Sequence, residues 1–233
     1  MLTLAIDTAT PVGGVSIFHR EDGIVGEMRL MGGKRHSEKL MKGIDFLLGV
    51  SDLRLDDIDF FTVSLGPGSF TGLRVGLSTV KGLAFALKKP VVGISTLEGF
   101  AYSFPVGEMM ICPVFDARKG EVYTALFKRE GGDLKRVIGD GTVRIEEFLR
   151  EVRDNTLFAG NGATLYRERI IRLLGTKAFF APLHLQYPLP SSISELAFRR
   201  AEKGLFDDPV SLSPVYMRRS EAEINTKRET GSP

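Results

Sequence analysis

The chain has no tryptophan, one cysteine and three histidines among its 233 residues, and each scarcity removes a class of chemistry. A single thiol, Cys112, excludes an internal disulfide and a cysteine-rich metal site. It lies in the apolar run MMICPVF, the setting of an inert buried thiol rather than of a nucleophile. His19, His36 and His184 are scattered, and the position four after His36 is Leu40, so no histidine pair has the spacing of metal ligands on one helix face. His36 is read as a surface or cap-region residue. Neither an HExxH helix nor a GxSxG elbow is present, which removes the signatures of zinc and serine peptidases. No apolar run is long enough to span a bilayer. The start MLTLAIDTAT is broken at once by Asp7 and threonines, as in a strand and not in a signal peptide, so a cytoplasmic protein is expected. A net charge of +2 demands neither nucleic acid nor a membrane nor an acidic partner.

What is present is a glycine-rich corner. GPGSFTGLR, Gly66 to Arg74, joins the apolar stretch DFFTVSL to the long apolar stretch TGLRVGLSTVKGLAFAL. The first is expected to be a buried strand over 59–65 and the second a helix over 71–87. A glycine loop opening a helix offers bare N–H groups and a positive dipole end, which suit an anion such as phosphate. The same loop is equally a tight strand-to-helix connection, and it is not a Walker loop, because no GK[ST] follows.

The order of elements carries more than any one motif. Strands are expected at 2–7, 13–19 and 24–30, then a helix over 37–50 capped by Ser37, the strand and helix of the glycine corner, a strand at 90–94, and a helix capped by Ser95 with Glu98 behind it. The second half repeats this order: strands at 109–115, 121–129 and 134–139 with Gly131-Gly132 as a hairpin turn, a helix over 145–153, a strand at 156–160, a helix over 164–174, a short strand near 178–181, and a helix over 192–202. Two tandem βββαβαβα units imply an α/β protein of two lobes, each a mixed sheet with helices on its faces, and a cleft between them. The lobes are assigned to 1–104 and 105–217. A polar tail, 218–233, follows and cannot fold by itself.

LAIDTAT, RHSEKLM, GPGSFTGLR, DARKGEVY and PVYMR, in that order over almost the whole chain, resemble the TsaB (YeaZ) family. The resemblance implies the duplicated actin-like, hexokinase-like ATPase fold (the ASKHA class, RNase H-like in each lobe). It further implies a role beside TsaD, the enzyme that places a threonylcarbamoyl group on the adenosine next to the anticodon of certain tRNAs, in an assembly that includes the ATPase TsaE. TsaD-like chains carry an HLEGH-type segment whose two histidines bind a metal. The corresponding segment here is STLEGFA, with Thr96 and Phe100 where the histidines would be, and neither a hydroxyl nor a phenyl ring replaces an imidazole as a ligand. A non-catalytic partner without its own metal or obligatory cofactor is therefore expected, touching tRNA only through the assembly.

Two groups of residues are candidates for function. Asp7 and Thr8, between the first two strands, with Gly66, Gly68, Ser69 and Gly72, stand where ATPases of this fold hold metal and phosphate, so they are candidates for weak ATP or ADP binding. The alternative for Asp7-Thr8-Ala9-Thr10 is a turn that satisfies its own backbone. GNGATL, 160–165, is a strand-to-helix turn, and DARKGEVY, 116–123, is a hairpin whose basic tip could meet an anion or a partner. The second group follows from two faces of the helix over 71–87. Leu73, Leu77, Val80, Ala84 and Leu87 form a core stripe, whereas Gly72, Gly76, Thr79 and Leu83 form an adjacent face of small residues. Either helix 37–50 covers that face or a partner does. The resemblance implies pairing with TsaD, or self-pairing as a homodimer in its absence, through Leu40, Met41, Ile44 and Leu48 of the first helix and Gly72, Gly76, Thr79 and Leu83 of the second. The rival reading is a small-molecule kinase of the same fold with Asp116 as its carboxylate; a peptidase is the weaker alternative.

Overall fold

The structure, a computed structural model, describes residues 1–31 and 36–217. The Ser37 cap, the His36 side chain and the 218–233 tail lie outside the described residues. Ten strands form two five-stranded sheets with the same strand order. In the first, β1 (Leu2–Asp7) is central, antiparallel to β2 (Val12–His19) and parallel to β4 (Phe60–Gly66). The edges are β3 (Gly23–Met31) and β5 (Val91–Ser95). In the second, β6 (Met110–Arg118) is central, antiparallel to β7 (Glu121–Glu130) and parallel to β9 (Thr156–Ala159). Its edges are β8 (Asp133–Arg144) and β10 (Ala178–Phe180). The duplication expected from the element order, and the ATPase-like fold that the resemblance implies, are thus the observed ones.

Alternation along each strand divides its side chains between two layers. Leu4 and Ile6 of β1, with Val15 and Ile17 of β2, meet Leu40, Ile44, Leu47 and Leu48 of α1 (His36–Val50) and Leu77, Val80 and Ala84 of α2 (Phe70–Leu87). The in-between residues face the other way: Ala5, Phe60, Val92 and Ile94 pack on Ile193, Ala197 and Phe198 of α7 (Pro190–Ala201). α7 follows the second sheet in the chain but covers the first. Conversely α3 (Thr96–Tyr102) follows the first sheet and covers the second, its Leu97, Phe100 and Ala101 packing on Ile111, Phe115, Ala125 and Phe127. The halves therefore exchange a helix. Ser95, the α3 cap, ties the exchange down by accepting the Glu98 N–H and donating to Asp140 Oδ2 of β8 at 2.8 Å.

Three expected elements differ from those observed. The helix over 145–153 is α4 (Ile145–Leu149), because Arg150, Glu151 and Val152 donate to carbonyls three residues back and tighten into a 3₁₀-type turn. The helix over 164–174 is two helices, α5 (Asn161–Leu165) and α6 (Arg167–Leu174), broken at Tyr166, which is drawn into the core. β8 continues past Gly139 and Gly141 to Arg144, since the long β7 beside it supplies partners through two register shifts.

Candidate functional site

The glycine corner is built by three elements meeting at the C-terminal end of β1 and β4. Ser69 caps α2, its Oγ accepting the Gly72 N–H at 3.2 Å. The loop after β1 lies directly on this cap. The Ser69 N–H donates to the Ala9 carbonyl at 2.7 Å, and Thr8 Oγ1 donates to the Gly72 carbonyl at 2.7 Å. Gly66 N–H donates to Thr96 Oγ1 at 3.1 Å. The glycines are what permit the approach. A methyl group at Gly72 would overlap the Thr8 carbonyl, one at Gly68 the Ala9 carbonyl, and one at Gly76 the Thr8 hydroxyl.

Asp7 sits beneath, buried, with Oδ1 accepting the Ala9 N–H at 2.9 Å and Oδ2 accepting the Ser64 hydroxyl at 2.6 Å. Burial pushes its carboxyl above the ordinary carboxylate range, and these two hydrogen bonds offset part of that shift. The structure thus brings all six nucleotide candidates, Asp7, Thr8, Gly66, Gly68, Ser69 and Gly72, into one corner. The N–H groups of Gly66, Ser69 and Gly72, which a phosphate would use, already have partners inside the chain. A pocket that touches Thr8 is walled mostly by apolar groups, Val15, Met28, Leu30 and Leu40 among them, with Lys39 as its one charged side chain. A roomier groove of about 660 Å³ includes no residue of the corner; Phe18, Tyr102, Arg129, Ser192 and Glu195 are among those that line it.

The STLEGFA segment is interior. Thr96 and Phe100 are both buried. The Phe100 ring packs against Phe115 at 5.0 Å and Phe104 at 5.3 Å, so aromatic contact fills its surroundings. Among the described residues no three His, Cys, Asp or Glu side chains gather as a metal site. Cys112 is fully buried, and burial pushes its thiol up to about 12.

The partner-face candidates are distributed differently from the expectation. Leu40, Ile44 and Leu48 are core residues of the first lobe, and Leu83 packs against that core. Gly72 and Gly76 face Thr8 and Ile6 of the same chain, so β1 and its loop, rather than helix 37–50 or a partner, cover the small-residue face. Thr79 is half-buried and donates to the Val75 carbonyl. Of the eight, Met41 alone is well exposed. The apolar groups that α1 and α2 turn to solvent are Met41, Phe46, Val50 and Phe85, the last at 85% exposure. Phe46 and Phe85 could have been found from the sequence, since each stands one step out of phase with the core stripe beside it.

Of the second lobe's candidates, Asp116 Oδ1 accepts the Arg118 N–H at 2.9 Å, and the Asp116 N–H donates to Asn161 of GNGATL. Arg118, Lys119 and Gly120 at the hairpin tip all have left-handed backbone. No helix among the described residues is long and apolar enough to cross a membrane.

A family profile described as TsaD, tRNA N6-adenosine threonylcarbamoyltransferase, matches residues 16–226. The chain is 36% identical over 226 residues to the tRNA threonylcarbamoyladenosine biosynthesis protein TsaB of Bacillus subtilis, with 96% of each chain covered. It is 30% identical over 177 residues to the protein of that name from Haemophilus influenzae, covering 71% of this chain and 74% of the other. Among solved structures, YeaZ from Pseudomonas aeruginosa matches with a TM-score of 0.77 at 25% identity, over 92% of this chain and 100% of that one. At 12% identity, component A of (R)-2-hydroxyglutaryl-CoA dehydratase from Acidaminococcus fermentans shares the fold, with a TM-score of 0.53 over 87% and 99% of the two chains.

Proposed function

The chain belongs to the TsaB family, and from that premise we propose that it is a non-catalytic subunit of tRNA threonylcarbamoyladenosine biosynthesis that works by pairing with TsaD, together with TsaE. The observation that carries the non-catalytic part is the burial of Thr96 and Phe100 in a packed aromatic cluster, where the transferase would hold metal ligands. A hydroxyl already accepting the Gly66 N–H and a ring already packed offer a divalent metal nothing. The glycine corner is read as a structural joint: its glycines admit the Thr8–Ala9 backbone, and the N–H groups of Gly66, Ser69 and Gly72 are spent on Thr96 Oγ1, the Ala9 carbonyl and Ser69 Oγ.

Pairing is assigned to the solvent side of α1 and α2, where Met41, Phe46, Val50 and Phe85 are the apolar groups a partner would cover. An interface of ordinary size there would bury about 1,200–2,000 Å² in total. The same side serves a homodimer in isolation, which TsaD displaces. The purified chain with tRNA, ATP and an activated threonylcarbamoyl donor should give no transfer, and the same mixture with TsaD and TsaE should lose transfer when this chain is omitted. Turnover by the chain alone, or undiminished transfer without it, would refute the reading. Phe85→Asp should weaken TsaD binding at least tenfold while leaving the circular dichroism spectrum intact.

A further inference from the structure

The end of the described chain returns to the glycine corner and meets an unusual arginine. After α7, Asp207 pairs with Val91 at the free edge of β5, and its Oδ2 accepts the Gly93 N–H at 2.7 Å. The segment then runs antiparallel to α2: Lys81 Nζ donates to the Val210 carbonyl, and Arg74 Nε donates to the Tyr216 hydroxyl at 3.0 Å. Between these points Val215 N–H donates to the Leu65 carbonyl at 2.7 Å, and the Val215 carbonyl lies where a side chain on Gly66 would project. Arg74, Ser78, Lys81 and Phe85 are spaced by four, three and four, which is one stripe of a helix. This segment therefore flanks the outer stripe of α2, and adds Val210 at 85%, Val215 at 47% and Tyr216 at 40% exposure to it.

Arg74 is exposed, yet among the described residues no carboxylate pairs with it. Its guanidinium lies 3.9 Å over the Phe70 ring and 5.9 Å from the Tyr216 ring. The two rings are themselves packed with centroids 4.6 Å apart. A planar cation stacked on Phe70, with Nε committed to the Tyr216 hydroxyl, has its terminal nitrogens left for a forked acceptor and little further side-chain freedom to lose on binding. Arginine, tyrosine and an apolar surround are the composition of interface anchor points.

We propose that Arg74, stacked over Phe70 and hydrogen-bonded to Tyr216, is the charged anchor of the α2 surface and takes a carboxylate from the protein seated on it, with the 207–216 segment forming that surface's second side. This rests on the reading that the chain pairs with TsaD. The apolar neighbours Val210, Val215 and Phe85 favour a protein carboxylate over the phosphate of a nucleic acid, and in a homodimer on the same side the two Arg74 cations would not supply that carboxylate to each other.

The test is calorimetric titration of the chain with TsaD at low and moderate salt, using wild type, Arg74→Gln, Arg74→Lys and Tyr216→Phe. Arg74→Gln should weaken binding at least tenfold and flatten its salt dependence. Arg74→Lys should recover only part of the loss, because the stacked fork is missing, and Tyr216→Phe, which removes one hydroxyl and no packing, should cost about threefold. Circular dichroism checks that each variant is folded, and Tyr216→Phe keeps the test decisive if Arg74→Gln is not. Binding by Arg74→Gln within twofold of wild type overturns the proposal. So does an effect confined to self-association in sedimentation, or one confined to binding of tRNA alone. A wild-type chain that does not bind TsaD refutes the pairing reading itself, an outcome separate from wild type and variant binding equally.

Discussion

Asp7 and Asp116 hold the same post in the two lobes and meet different fates. Asp7 ends β1 and Asp116 stands two residues before the end of β6, and each accepts with Oδ1 the N–H two residues on, from Ala9 and Arg118 respectively, at 2.9 Å in both cases. Each turn is met by a glycine from a strand-to-helix loop: Gly72 lies against the Thr8 carbonyl, and Gly162 against the Val114 carbonyl and the Asp116 N–H. Beyond that the lobes diverge. The first is followed by an 18-residue helix whose glycines let it sit on the turn, so the turn is swallowed and Asp7 is buried. The second is followed by a 5-residue helix broken at Tyr166, and Asp116 stays partly exposed below the tip at Lys119. A long helix with bare patches can lie down on a turn, whereas a broken one cannot.

Restoring a side chain at each joint should separate the two lobes most widely. Gly72→Ala sets a methyl into backbone that cannot yield and should cost more than about 3 kcal/mol, or prevent folding. Gly162→Ala meets the Val114 side chain and the Val114 carbonyl, both at 2.9 Å against 1.9 Å from the Thr8 carbonyl at Gly72, and should cost about 1–3 kcal/mol. Urea denaturation midpoints of the two variants measure the difference, and equal losses would mean that the two joints are equally tight.

The next effect is electrostatic. Asp7 has its carboxyl raised by burial, so the folded state holds that proton more tightly than the unfolded chain does. Its contribution is fully present below the ordinary carboxylate value near pH ~4 and is lost as pH rises through the raised value. Asp7→Asn keeps both hydrogen-bonding partners and lacks the charge. It should therefore gain stability relative to wild type as pH rises from ~4 toward neutrality. Thermal melts at several pH values follow the gap, and a gap that shrinks with rising pH would contradict the assignment. Asp116→Asn, made in parallel, should change stability by no more than ~0.5 kcal/mol.

The smallest effect concerns the exposed tip. Lys119 has a φ of 54°, a left-handed conformation that side chains other than glycine adopt at a cost. Lys119→Gly should stabilise the folded state by up to ~1 kcal/mol, the strain relieved being partly cancelled by the freer unfolded chain. A loss of stability on that change would show that the lysine side chain holds the hairpin.

Much of the fold is legible in the amino-acid sequence. Leu40, Ile44, Leu47 and Leu48 recur at helical spacing, Ser95 precedes a helix with Glu98 at its third position, and Gly131-Gly132 stand between two alternating stretches. Such signals are local, because a backbone turn and the phase of a helix are decided by residues within about four positions. The candidate corner is legible as a cluster, since Asp7 and the glycines end adjacent strands. What fills it is not.

From the sequence alone come the two βββαβαβα units and the absence of a histidine pair, because composition and periodicity suffice for both. Only the tertiary structure decided that α3 and α7 change sheets, that Gly72 and Gly76 face Thr8 and not a partner, and that Arg74 stacks on Phe70 and donates to Tyr216. Each of these joins residues from distant parts of the chain. A glycine announces that something comes close, but only the folded chain says what.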